Sequence, residues 1–358
     1  MLTDYLKHKA HCTFFSLLNQ PKYCLEIWGR DYDRIKDTCI LAEELGYYGY
    51  FYGESLTNLD LDCWTVLSTL IPITKTIKLG PVITYINPDY RSLALLAKQS
   101  ITFQDISYGR LEFRTGAGAK SKYSVSWWDP YGIDYPEPQK RIAIFEEGLS
   151  LFRKYIGRNF LVNFDKNDIQ SPKAQKEIDR SDEHSNAIYH DGKYFRATGA
   201  EMEKSVPDIP ITIAANGTKM MRIAARFADI WESSYLTPME FSAKNRKFEE
   251  MSKQENSNKD SKTRGNPNSS PKRSIELDVI IANSNKELQD QKKVLAVERG
   301  PKAYRQVLQK GLVGTPKEIQ SKISAYIKLG IDQFFLAFQD PLDPKSMELF
   351  MKSVKGVK

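Results

Sequence analysis

Histidine and cysteine are scarce in this chain, and the scarcity narrows its chemistry before any motif is read. Only four histidines occur in 358 residues, His8, His11, His184 and His190, and no two form an H-x-x-x-H pair. No Ser-His-Asp grouping and no Walker loop appears either, which disfavours metal-dependent hydrolysis, acyl transfer and nucleotide hydrolysis. The four cysteines, Cys12, Cys24, Cys39 and Cys63, fall in the first fifth of the chain without a C-x-x-C pair. That spacing suits neither a metal knuckle nor a secreted disulfide framework, so buried free thiols and no metal are expected. Apolar runs are short as well. None approaches the roughly 18 residues that span a bilayer, and the first nine residues lack the apolar core of a signal peptide. The expectation is a cytoplasmic protein without a membrane partner.

A net charge of +7 invites a nucleic-acid reading only if it covers one folded face. It does not. Residues 252–273 hold six basic side chains (Lys253, Lys259, Lys262, Arg264, Lys272, Arg273) against Glu255 and Asp260, so four of the seven excess charges sit in one polar segment. That segment has no apolar anchor and reads as a solvated flexible loop, so no nucleic-acid partner is expected.

What is present is an alternation. Strand patterns at Cys12–Leu18, Tyr47–Glu54, Ile77–Thr84, Leu111–Gly116, Ile211–Ala214, Ile230–Ser233, Ile275–Ala282 and Gln333–Phe338 are interleaved with helical ones. The helices are read at Arg34–Leu45, Cys63–Ile71, Ser92–Phe103, Arg141–Tyr155, Lys219–Phe227, Pro238–Met251 and Pro316–Leu329. Eight such units predict an α/β fold, one (β/α)8 TIM barrel over residues 1–358. Two interruptions precede strands, on the face that usually carries no chemistry. One is the polar loop at 252–273; the other is an insertion at 157–206, where Asp191-Gly192 signals a hairpin. Two more follow strands and belong to the catalytic face. These are the aromatic segment Ala117–Lys140, with Tyr123, Trp127, Trp128, Tyr131 and Tyr135, and residues 283–314, a candidate lid carrying Arg299.

Four places carry candidate chemistry. In the third strand the Gly80-Pro81 pair neither packs nor donates to a ladder, so a bulge or irregular peptide is expected near Val82, Ile83 and Thr84, unless the pair merely opens the strand. Asn216-Gly217-Thr218 joins a strand to a helix start, where free N–H groups suit a phosphate; the competing reading is a helix capped by Asn216 or Thr218. Glu112 and Arg114 share one strand face, pairing with each other or touching ligand, while Gly116 and Gly118 leave room for a flat ligand. Glu54 ends the second strand, where barrel enzymes place catalytic groups. So little acid-base equipment makes sense when a cofactor supplies the reactive atoms.

Ala42–Tyr47, Ile77–Thr84, Gly109–Gly118, Ala224–Asp229 and Gly314–Glu318, in this order and spacing, resemble the bacterial luciferase-like family of flavin-dependent oxidoreductases. The resemblance implies a barrel that binds reduced FMN, or the deazaflavin coenzyme F420, at the C-terminal strand ends. It implies a non-proline cis peptide at Val82-Ile83 behind the ring, with Thr84, Gly116 and Ala117 beside it. The phosphate would sit at Asn216, Gly217 and Thr218, and 283–314 would be a lid. Glu54 and Glu112 become catalytic candidates, and Trp127, Trp128 and Arg299 substrate or lid residues. The activity implied is a monooxygenase using reduced FMN and O2 on a small organic substrate, fed by a flavin reductase. Hydride transfer by F420 is the alternative, and a non-catalytic flavin-binding barrel a third reading. Many relatives follow the acidic residue of the second strand with His, whereas Ser55 stands here. Relatives pair through their second and third helices, so a homodimer is expected.

Overall fold

The computed structural model describes residues 20–119, 127–157, 187–204, 207–257 and 270–357. Its elements in order are β1 (Lys22–Ile27), α1 (Tyr32–Leu45), β2 (Gly49–Gly53), α2 (Cys63–Leu70), β3 (Lys78–Val82), β4 (Thr84–Tyr85), α3 (Leu93–Ile106), β5 (Phe113–Gly116) and α4 (Pro138–Tyr155). After a hairpin, β6 (Ile188–Asp191) and β7 (Arg196–Ala200), come β8 (Ile211–Ala214), α5 (Thr218–Phe227), β9 (Ile230–Ser234), α6 (Pro238–Ser257) and β10 (Lys272–Ile281). The chain ends with α7 (Asn285–Lys310), β11 (Leu312–Gly314), α8 (Pro316–Ile327), β12 (Gln333–Phe338) and α9 (Pro344–Val354).

The main sheet runs β3-β2-β1-β12-β10-β9-β8-β5-β4 with parallel pairing throughout. Its two end members are halves of one rung, so the sheet is a barrel: β4 pairs with β5, and Leu79 of β3 bridges Leu111. Between the halves the Val82–Ile83 peptide is cis, as the resemblance implied. The Glu54 N–H donates to Val82 O at 3.2 Å, tying the bend to the end of β2. Gly80 is required by close approach, since a Cβ there would lie 2.1 Å from Glu112 O.

Strand parity separates two layers. Leu25, Ile27, Tyr50, Tyr52, Leu277 and Leu336 point outward into the main core shared with the helices. Inside the barrel, Cys24, Phe51 and Phe335 form a separate cluster. Cys24, Cys39 and Cys63 are buried free thiols, as expected.

Several boundaries differ from the sequence reading. The strand expected at Cys12–Leu18 lies outside the described residues, as do Cys12, His8, His11, Tyr123 and His184. The first rung among the described residues is Lys22–Ile27, where the polar residues Lys22 and Glu26 mask the pattern because they share the inward parity with Cys24. Within 157–206 the hairpin exists, but Asp191 pairs with Arg196, so the turn is the four residues Gly192–Phe195. The Glu147 carboxylate sets that turn by accepting from the N–H groups of Lys193, Tyr194 and Phe195. Residues 158–186 and 205–206 lie outside the described part. The polar loop of 252–273 is shorter than read, since α6 continues through Ser257 and β10 begins at Lys272; residues 258–269 are not described. Residues 283–314 are mostly the helix α7, kinked at Gly300 (φ 72°) before Pro301. Leu288, Leu295 and Val307 seat it on Ile280 and Ala282 at the C-terminal end of β10 and on Val313 of β11. No helix among the described residues is long and apolar enough to cross a membrane.

Candidate active site

Where β2 ends, beside the cis peptide, Glu54 is buried and held on three sides. It accepts from Thr84 Oγ1, pairs with Arg91 Nη2, and takes a 3.4 Å bond from the Tyr90 hydroxyl. Burial pushes its carboxyl above the ordinary carboxylate range against the pull of Arg91. Thr84 is fixed in turn, its carbonyl accepting from Thr115 Oγ1 at 2.8 Å. Ser55 hydrogen-bonds to Thr57 and Asp60.

Next to this group, Tyr85, Asn87, Gly116, Ala117, Trp128 and Tyr135 line a narrow cleft. Trp128 is buried edge-on between Tyr85 and Tyr90, with centroids 4.6 and 4.9 Å away. Gly116 faces the Ile83 side chain closely, a Cβ there meeting Ile83 Cδ1 at 3.0 Å. Val82, Ile83, Thr84, Gly116, Ala117 and Trp128 are thus brought together. Trp127 is 43 % exposed and is not among the residues lining the cleft.

On the strand next to β5, the turn after β8 is open. Asn216 does not cap α5, because its side chain is committed to β9: Oδ1 accepts from Ser234 N and Nδ2 donates to Ser234 O. Gly217 is the N-cap residue, without a side-chain bond to the helix, and an added Cβ there would meet nothing within 4 Å. The capped-helix reading is therefore excluded. The first-turn N–H groups and the positive end of the helix dipole face open space. Lys244 Nζ, bonded to Asn216 O at 2.5 Å, adds a cation the sequence did not suggest.

Inside the barrel the expected Glu112–Arg114 pairing does not form. Arg114, only 1 % exposed, makes a two-point ion pair with Glu232 of β9 and lies 3.5 Å from the Phe335 ring centroid. Glu112 accepts from Thr212 Oγ1 (2.9 Å) and Gln333 Nε2 (2.8 Å), both near the starts of their strands. As a catalytic candidate Glu112 is corrected on that ground: it belongs to the lower layer, away from Glu54 and the mouth. Higher up, Glu26, Glu232, Glu276 and Asp278 line the interior. Burial, with Glu276 next, pushes Glu26 well above its usual range, and burial takes Asp278 up to about 6 although Arg299 pulls it down. Arg299, exposed on α7, is thus placed at the mouth beside Asp278.

The model of a family described as "Luciferase-like monooxygenase" matches residues 14–310. The chain belongs to the luciferase-like monooxygenase family. Among relatives of this luciferase-like chain, a 5,10-methylenetetrahydromethanopterin reductase of Archaeoglobus fulgidus is 29% identical over 189 residues, covering 53% of this chain and 45% of that protein. The match thus spans about half the length of that relative. Among solved structures, an F420-dependent secondary alcohol dehydrogenase in complex with an F420-acetone adduct aligns with a TM-score of 0.71 at 15% identity, covering 95% and 99% of the two chains. The EDTA monooxygenase EmoA from Chelativorans sp. BNC1 aligns at 0.69 and 14%, covering 95% of each. At these identities the structures establish the barrel and nothing finer.

Sequence reasoning missed Tyr90, Arg91, Lys244, Glu26, Glu232, Glu276 and Asp278. For the carboxylates a signal existed, since an acidic residue within a parallel strand covered on both faces departs from the usual apolar run. Arg91 and Lys244 carried no comparable signal, lying one in a loop and one on a helix.

Proposed function

We propose that this luciferase-like protein holds a flavin-type coenzyme across the tops of β3 to β9 and transfers hydride between it and a small organic substrate, with F420 as the coenzyme. The observation that carries the reading is the uncapped turn at Gly217, which follows the strand next to the Gly116–Ala117 shelf. Adjacent strands lie about 4.8 Å apart, so turn and shelf are neighbours at the barrel mouth, as suits the phosphate and ring ends of one coenzyme.

The chain's residues fit such a group. The first N–H groups of α5 and Lys244 Nζ bind the phosphate, and Gly217 leaves the space for it. Thr84 and Arg91, locked by Glu54, edge the ring, while Trp128, Tyr85 and Tyr90 exclude water from one side. When bound, the coenzyme supplies the hydride. Asp278, titrating near neutrality, holds or takes up the accompanying proton at its carboxylate oxygen. The helix α7, with Arg299, is the cover of the mouth, and a homodimer is part of the proposal.

Hydride transfer is preferred to oxygenation because the interior is acidic and attracts water, whereas oxygen chemistry needs a dry cavity. The reductase relative supports the same preference. A monooxygenase using reduced FMN and O2, fed by a flavin reductase, is the second reading, favoured by the aromatic wall around Trp128. A non-catalytic flavin carrier fits less well, having no use for ionisable groups in the mouth.

Fluorescence titration with F420 and with FMN tests the order. F420 is expected to bind at least tenfold tighter; the reverse preference would replace hydride transfer by oxygenation. Gly217→Asp should weaken either coenzyme at least a hundredfold without harming the fold, because φ −85° suits any residue and Asp is a good helix cap. Undiminished binding would move the phosphate site elsewhere.

A further inference from the structure

We propose that the upper barrel interior binds an organic cation, a protonated amine or guanidine, as the head group of the substrate. The proposal rests on the mouth being the place where substrate meets coenzyme. Four carboxylates converge there, Glu26 of β1, Glu232 of β9, and Glu276 and Asp278 of β10, all at inward-facing strand positions. The cations acting on them are Arg114, already committed to Glu232, and Arg299, which acts on Asp278. Glu26 and Glu276 are left without one of their own. Glu276 meets neutral donors instead, Ser234 Oγ at 3.1 Å on its Oε2 and the Tyr235 hydroxyl.

Two buried atoms show that the fold does not complete this site by itself. Glu26 Oε2 has no hydrogen-bond partner among the described residues, and neither has Nη1 of Arg114, a side chain 99 % buried. Buried polar atoms are paired in the great majority of cases, so one calls for a donor and the other for an acceptor. A ligand with a charged amine between Glu26 and Glu276 and an oxygen near Arg114 provides both. A metal ion does not suit the same groups, since no set of three or more His, Cys, Asp or Glu among the described residues is arranged to hold one. Burial first, and then the nearby charges of Glu276, Glu232 and Asp278 against the pull of Arg114, drive Glu26 towards its neutral form, so an arriving ammonium displaces its proton to solvent. Amine binding therefore tightens as pH rises.

Calorimetric titration of the coenzyme-loaded and coenzyme-free protein at pH 8 with 5-amino-1-pentanol, 1,5-pentanediol and 5-hydroxypentanoate tests this. The amine should bind at least tenfold tighter than the other two. E26Q and E276Q, tested singly and together, should each remove at least tenfold of that preference while changing coenzyme affinity less than twofold. Equal binding of the three probes, or amine binding indifferent to both exchanges, would overturn the proposal. If no coenzyme binds but the amine preference and its loss on exchange persist, the functional proposal fails and the cation site stands. Normal coenzyme binding without amine preference removes the cation site and leaves the functional proposal intact. The single, isosteric exchanges keep the test decisive if the double variant does not fold.

Discussion

The two ends of the barrel interior are built from the same kinds of residue and differ in balance. At the lower end Glu112 acts on the ammonium groups of Lys22 and Lys78 and accepts from Thr212 and Gln333. One carboxylate there meets two cations and two neutral donors. At the upper end four carboxylates share Arg114 and Arg299. A carboxylate so compensated can be buried for structure alone. An unbalanced one opposes folding, and proteins keep such violations where a proton or a ligand restores the balance.

The contrast breaks most sharply at Arg114. Arg114→Met leaves Glu232, fully buried, without its partner, and should destabilise the protein by about 3–5 kcal/mol in urea denaturation. A loss below about 1 kcal/mol would mean that Glu232 is already neutral and the upper end carries less charge than its four carboxylates imply.

Next comes a pH effect. Asp278 has its carboxyl raised from 3.8 to about 6 in the fold. A raised pKa contributes stability below 3.8 that disappears as pH climbs through 6, because the charged form is the one the fold disfavours. D278N cannot lose it, so its stability relative to the parent should grow between pH 4 and pH 7 by up to about 3 kcal/mol. Melting curves across that range would show the two proteins diverging; parallel curves would place Asp278 in water.

The smallest effect is a difference in sign. Glu112→Gln removes the counter-charge of two lysines and should destabilise by about 1 kcal/mol, while E276Q relieves carboxylate crowding and should stabilise by a similar amount. Two changes of the same sign in urea melts would dissolve the distinction between the ends.

The site was legible in part. Gly217 stood out because a glycine between strand and helix is a local feature, and the bend after Val82 followed from the resemblance together with Gly80-Pro81. Glu54 could be placed because it follows a strand directly. Arg91 could not, since nothing local indicates that a loop residue 37 positions later folds back onto Glu54. The Glu112–Arg114 pairing was misjudged for a related reason. Residues two apart on a strand share a face, but each met a nearer partner on another strand, Glu232 for Arg114 and Thr212 for Glu112.

By itself the sequence determined the alternation of strands and helices and the strand–Gly217–helix turn, because these rest on periodicity, backbone preference and glycine placement within a few residues. Only the tertiary structure decided that Lys22–Ile27 is the first described rung, that 285–310 is a helix seated over β10, and that Glu26, Glu276 and Asp278 converge. Strands far apart in the chain become neighbours when the barrel forms, and a charge acts on whatever lies within a few ångströms, whatever its place in the sequence.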